Sequence, residues 1–187
     1  MEVERHPFQP FLPKGARLLM LGTFPPSEKR WSMKFYYPNF INDMWRIFGL
    51  LFFQDKDYFV DAAHKCFRLE LLVPFLEAHG IALFDTATRI RRTTGTASDK
   101  DLEIVEETDL RQMVRDLPLC ESIVTAGQLA TEIACRQFGV EPPKVGEYAA
   151  FAFEGRQLRL YRMPSSSRAY PMKLEQKAEY YQRVLRS

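Results

Sequence analysis

Residues 16–28, ARLLMLGTFPPSE, decide the fold. Leu18, Leu19, Met20 and Leu21 form an apolar run that stops at Gly22 and at the Pro25-Pro26 pair, the pattern of a strand buried on both faces that feeds a loop. Residues 81–84, Ile-Ala-Leu-Phe, predict a second buried strand, entered from the helix stop Gly80 and ending at Asp85. A third apolar run covers residues 121–126, and runs at 148–153 and 157–163 flank Glu154-Gly155-Arg156 as a hairpin.

Helical patterns lie between these runs. Asn42 and Asp43 precede Met44, Trp45, Ile47, Phe48 and Leu51 at near-helical spacing. Residues 57–79 are rich in helix formers and broken by Pro74, residues 101–117 are amphipathic, and residues 127–138 and 173–185 read as helices. The alternation predicts an α/β fold of three layers, α/β/α, around a mostly parallel central sheet of about four strands, with a late β-hairpin. All 187 residues are expected to form a single domain, with residues 1–14 as an extended N-terminal arm.

A hydrophobic content of 46% with 27% charged residues is globular composition, and no apolar run reaches the roughly 18 residues of a membrane span. The opening MEVERHPFQPF carries acids and prolines where an export signal needs a basic start and an apolar stretch, so we expect a soluble, cytoplasmic protein. Cys66, Cys120 and Cys135 are widely spaced and form no C-x-x-C pair, and His6, His64 and His79 have no zinc spacing; we expect free thiols, no metal and no cofactor. A net charge of +2 says little about partners, but its distribution is uneven. Arg89, Arg91 and Arg92 cluster, whereas Glu103, Glu106, Glu107 and Asp109 gather on one segment.

Ligands of such sheets bind beyond the carboxyl ends of the strands, which selects the loops after residues 22, 85, 126 and 163. Met163-Pro164-Ser165-Ser166-Ser167-Arg168 follows a strand and precedes a helix, so its hydroxyls, amides and guanidinium suit a phosphate; a serine-rich cap and turn is the other reading. Asn42 is either a helix cap or a functional amide, and the aromatics Phe35, Tyr36, Tyr37 and Phe40 just upstream could stack on a nucleobase.

Four blocks taken in order, LLMLGTFPPSE, YYPNFINDMWRIFG, GIALFDTATRIRR with GTASD, and MPSSSRAYP, resemble the uracil-DNA glycosylase superfamily, nearest to its hypoxanthine-DNA glycosylase-like branch. The resemblance runs from about residue 17 to residue 185 and implies a uracil-DNA glycosylase-like fold. It also implies hydrolysis of the N-glycosidic bond of uracil or hypoxanthine in DNA, in base-excision repair, by a monofunctional monomeric enzyme whose partner is DNA with a damaged or deaminated base. By this resemblance Gly22, Thr23, Phe24 and Pro25 line the loop that contacts the flipped base, although many members have Asn or Asp where this chain has Phe24. Asn42 then orients the water, because a side-chain amide is too weak a base to do more.

Asp85, at the end of Phe84-Asp85, stands where many members have Asn. It would accept the lactam N–H of the base, which stacks on Phe24 or Tyr36, with Tyr37 and Phe84 beside it. Pro164, Ser165, Ser166, Ser167, Arg168 and Tyr170 resemble the loop that pinches DNA phosphates and wedges the duplex, with Met163 where several branches have His. Arg89, Arg91 and Arg92 fall where further phosphate contacts are expected, or else on a solvated loop. Two alternatives stand beside this reading: a nucleic-acid-binding homologue without catalysis, and an enzyme of free nucleosides or nucleotides.

Overall fold

In the computed structural model, which describes residues 2–93 and 101–186, the buried apolar runs become a five-stranded sheet. The chain begins with the short β1 (Glu4–Arg5), followed by β2 (Leu18–Gly22), α1 (Met44–Phe53), the β3/β4 pair (Val60–Asp61, Cys66–Phe67), α2 (Leu69–Ala78) and β5 (Ile81–Asp85). It continues through β6 (Ala87–Arg92), β7 (Leu102–Glu107), α3 (Leu110–Arg115), β8 (Ser122–Ala126), α4 (Gln128–Phe138), β9 (Tyr148–Phe153), β10 (Arg156–Met163) and α5 (Leu174–Leu185). The central sheet has the order β5-β2-β8-β10-β9, with β5, β2, β8 and β10 parallel and β9 antiparallel at the edge. The expected late hairpin is therefore part of the main sheet, which has five strands because β9 closes one side of it.

Burial explains the composition of these strands. Every residue of β2 and β5 is buried, because helices cover both faces. On one side Phe75 of α2 packs edge-on against Phe48 and Phe52 of α1, and α1 lies along α5. On the other side α3 meets α4, and the Thr131 hydroxyl of α4 lies 2.7 Å from that of Thr125 on β8.

Three local expectations change. Residues 57–67 form a small hairpin rather than helix, and α2 begins only at Leu69 and runs through Pro74. The fully buried Leu72 and Leu76 stripe holds α2 together despite the hydrogen bond that proline removes. The amphipathic stretch 101–117 divides into β7 and α3. The arginines expected on a loop lie instead on β6, which pairs with β7 and β1 in a second, antiparallel sheet; residues 94–100, with the whole GTASD block, fall outside the described residues.

A buried ionic tie joins α1, α5 and the loop after β10. Asp43, directly before α1, is 3% exposed; its Oδ2 accepts a hydrogen bond from Lys177 Nζ of α5 at 2.9 Å and its Oδ1 one from Arg168 Nε at 3.0 Å. The Asp43 amide donates to the Ser166 carbonyl, and Lys177, fully buried, also donates to the Ser167 carbonyl at 2.8 Å. One helical turn further along α5, Tyr181 donates to the Pro164 carbonyl at 2.7 Å.

We expect Lys177→Met to destabilise the fold by about 3–5 kcal/mol in denaturant unfolding, since it leaves a buried carboxylate short of a cation; a loss under about 1 kcal/mol would contradict the tie. Gly49→Ala is expected to destabilise by about 1–3 kcal/mol despite alanine's higher helix propensity, because a Cβ there would collide with the Asp55 carbonyl and crowd Tyr58. A rise in melting temperature for this variant would show that the close approach does not exist.

Candidate functional site

The carboxyl ends of β2 and β5 lie side by side, pairing Gly22 with Asp85. Asp85 is buried, and its carbonyl accepts a hydrogen bond from Thr108 Oγ1 at 2.6 Å. A Cβ on Gly22 would lie 2.9 Å from Asp85 Oδ1 and 3.5 Å from the Tyr37 hydroxyl, so both groups approach the bare glycine face too closely for any larger residue there.

The N-terminal arm supplies a partner that the sequence reading left unassigned. The pairing of β1 with β6 and a backbone bridge between Phe11 and Leu83 lay the arm across this sheet edge. His6 Nε2 then donates to Asp85 Oδ2 at 2.6 Å, with side-chain exposures of 4% and 9%. At the other ring nitrogen the Phe8 amide and carbonyl both lie 3.1 Å from Nδ1, so the amide donates to a neutral ring or a protonated ring donates to the carbonyl. Nε2 is the donor to the carboxylate in both cases. No local motif marks His6, because its partner stands 79 positions away.

Aromatic rings enclose this pair. The His6 ring lies 4.5 Å from Phe84, 5.3 Å from Phe24, 5.9 Å from Phe8 and 6.0 Å from Tyr36. Tyr36 is 3% exposed, and its hydroxyl anchors the arm through the Gln9 carbonyl at 2.6 Å, so it is a wall of the core rather than an open stacking platform. Phe24 is half-buried, with the Arg92 guanidinium over its ring. Pro25 accepts from Arg92 through its carbonyl, and Thr23 is buried.

Tyr37 is unusual on two counts. Its φ of 54° lies in the left-handed region, which aromatic residues seldom occupy, and its buried hydroxyl has no hydrogen-bond partner among the described residues. Burial first, and then the neighbouring Tyr181, Asp85 and Tyr36, push its ionisation well above the usual tyrosine range, so the hydroxyl keeps its proton.

Asn42 stands apart from this cluster, beside the loop after β10. Its Oδ1 accepts from the Met44 amide at 2.9 Å and its carbonyl accepts from Arg46, while its Nδ2 donates to nothing among the described residues. It is thus a local turn residue with one free donor.

The loop after β10 is seated on the Asp43 tie and does not open a helix, since α5 starts only at Leu174. Two serine hydroxyls make turns, Ser165 accepting from the Ser167 amide and Ser167 from the Ala169 amide, while Ser166 is buried. Arg168 remains half exposed, and Tyr170 lies 5.9 Å from the Lys177 ammonium. Around Asp43 gather Lys177, Arg168 and Arg46, and both burial and the Arg168 charge hold Arg46 below its usual range. Two cations on one carboxylate, with Arg46 nearby on backbone carbonyls, leave a local excess of positive charge.

The β6 arginines, read from the sequence as a phosphate-binding or a solvated loop, lie on a strand and face acids. Arg91 pairs with Glu103 at 3.0 Å, Arg89 with Glu106 at 3.8 Å, and the buried Arg92 with Glu4 at 2.8 Å. Their antiparallel pairing with β7 brings the basic run directly onto the acidic one. Burial pushes the Cys120 and Cys135 thiols up to about 11, which makes them poor nucleophiles at neutral pH. Among the described residues no His, Cys, Asp or Glu group is placed to hold a metal ion, and no helix is long and apolar enough to cross a membrane.

The edge therefore carries two centres. Asp85 on β5 and the loop after β10 are three strand spacings apart, roughly 14 Å. No protein-family model and no curated protein matches the sequence. A solution NMR structure from Methanosarcina acetivorans, described as a putative uracil DNA glycosylase, matches with a TM-score of 0.64 at 22% identity over 100% of both chains. This chain has the fold of that structure, an α/β/α sandwich on a mostly parallel sheet.

Proposed function

We propose that this protein is a DNA glycosylase that hydrolyses the N-glycosidic bond of a deaminated base, uracil or hypoxanthine, flipped out of DNA. The observation that carries the reading is the buried Asp85 carboxylate, held at the strand end among aromatic rings with Oδ1 accepting no hydrogen bond among the described residues. An acceptor in an apolar, aromatic setting suits the N–H edge of a planar base. The cation-rich loop at Arg168, about 14 Å along the same edge, suits the flanking phosphates. The fold shared with the Methanosarcina structure supports the same reading.

In this mechanism the extruded base is read by Asp85 and bordered by Phe24, Phe84 and Tyr37. Asn42, through its unused Nδ2–H, holds a water near the sugar. The C–N electron pair leaves with the base as positive charge develops on the sugar, the water oxygen bonds to the anomeric carbon, and its proton passes to the departing base. Arg168, with Ser165 and Ser167 on the exposed turn, grips the backbone. The β6 arginines take no part, because acids neutralise them.

A second reading has its own support. Phe24 and the fully buried Met163 occupy positions that could have carried polar catalysts, and Asn42 Oδ1 is already engaged by Met44. A protein that binds DNA without releasing a base fits those facts.

Incubation with duplexes containing uracil, hypoxanthine or xanthine, followed by alkaline cleavage at abasic sites, separates the two. We expect strand breaks at one or more lesions, and about a 100-fold lower kcat in Asn42→Ala with DNA binding retained. Binding without breaks at any lesion favours the second reading. Arg168→Gln is expected to weaken duplex binding about ten-fold and to reduce its salt dependence by about one phosphate contact. Unchanged duplex affinity would remove Arg168 from the DNA path.

A further inference from the structure

We propose that His6 is a positioning residue for Asp85: it pins one carboxylate oxygen so that the other, beside the Tyr37 hydroxyl, reads bases carrying an N–H next to a carbonyl. This rests on the assignment of Asp85 as the base reader.

A free carboxylate rotates about its last bond and offers two equivalent acceptors. Here the 2.6 Å bond from His6 Nε2 occupies Oδ2, and Thr108 fixes the backbone of the same residue. Oδ1 is left against the bare face of Gly22. The Tyr37 hydroxyl, buried and without a partner among the described residues, stands near the same glycine. An acceptor and a protonated donor beside the same strand end complement a lactam, whose N–H and C=O are adjacent; uracil, hypoxanthine and xanthine all present such an edge. An aspartate alone lacks the donor that an amide would supply for the carbonyl, and Tyr37 provides it. The left-handed backbone at Tyr37 is a local cost that is maintained where the hydroxyl has no bond in return, as expected for a group placed for a ligand.

His6 does more than fill space. Its ring is surrounded by Phe8, Phe24, Tyr36 and Phe84, where phenylalanine would pack as well, yet both ring nitrogens are bonded. Phenylalanine at this position would keep the packing and lose the donor; glutamine carries an N–H at a similar reach.

The test measures affinity of the full chain for duplexes bearing a 2′-fluorinated uracil or hypoxanthine nucleotide, whose glycosidic bond resists hydrolysis, and for the same duplexes methylated at the lactam nitrogen. Wild type is expected to prefer the N–H form. His6→Phe should reduce that preference about 10- to 100-fold and His6→Gln should retain most of it, with unchanged DNA affinity at undamaged sites. Tyr37→Phe, which removes a hydroxyl with no partner and so should not unfold the protein, is expected to weaken binding of the N–H form about ten-fold. The proposal is overturned if wild type shows no preference, if His6→Phe keeps it, or if His6→Phe binds both forms more tightly, which would make the arm a plug in the site. The hydrolytic reading fails separately: a preference for the N–H form that vanishes in His6→Phe, with no release of the unfluorinated base, upholds this proposal and removes catalysis.

Discussion

The buried carboxylate of Asp43 is the constraint around which the rest of this edge is arranged. A charge withdrawn from water must be compensated by partners at hydrogen-bond distance, and here those partners come from segments far apart in sequence. Lys177 comes from the last helix, Arg168 from the loop after β10, and Asp43 itself stands at the entry to α1. Satisfying that one charge fixes the helix, the serine turn and α5 relative to each other. It also leaves Arg168 half exposed. The local excess of positive charge persists because Arg46 is committed to backbone carbonyls and to the Phe40 ring.

Asp85 is the contrasting case. It is equally withdrawn from water, but a single imidazole meets it instead of two cations, and one oxygen keeps its acceptor capacity. Two buried carboxylates on one sheet edge thus serve different ends: the first is saturated and structural, the second is partly satisfied and chemically available. The difference follows from what each is packed against, cationic side chains at one site and aromatic rings at the other.

Much of the framework was readable along the chain, because it depends on local patterns. The runs at residues 18–21 and 81–84 are continuous stretches of apolar residues that only a doubly covered strand needs, and the Glu154-Gly155 turn has its positive φ values at the expected place. Where local pattern and long-range pairing compete, the reading failed. Residues 57–67 carry helix formers but pair as β3 and β4, and the arginines 89, 91 and 92 read as a loop until β7 brings Glu106 and Glu103 against the first two and β1 brings Glu4 against the third. Charges that look segregated in sequence neutralise one another across an antiparallel pair.

The sequence by itself determined the α/β class, the strand ends on which Gly22, Asp85 and Met163 stand, and the terminal helix, because periodicity and strand-stopping residues act over a few positions. Only the tertiary structure decided what each polar residue at those ends does. Asn42 is tied into a turn, the serines of the loop mostly hold that loop, and His6, in an arm with no motif of its own, meets Asp85. A hydrogen bond between residues 79 positions apart depends on where the sheet edge carries the arm, and no spacing rule along a chain encodes that distance.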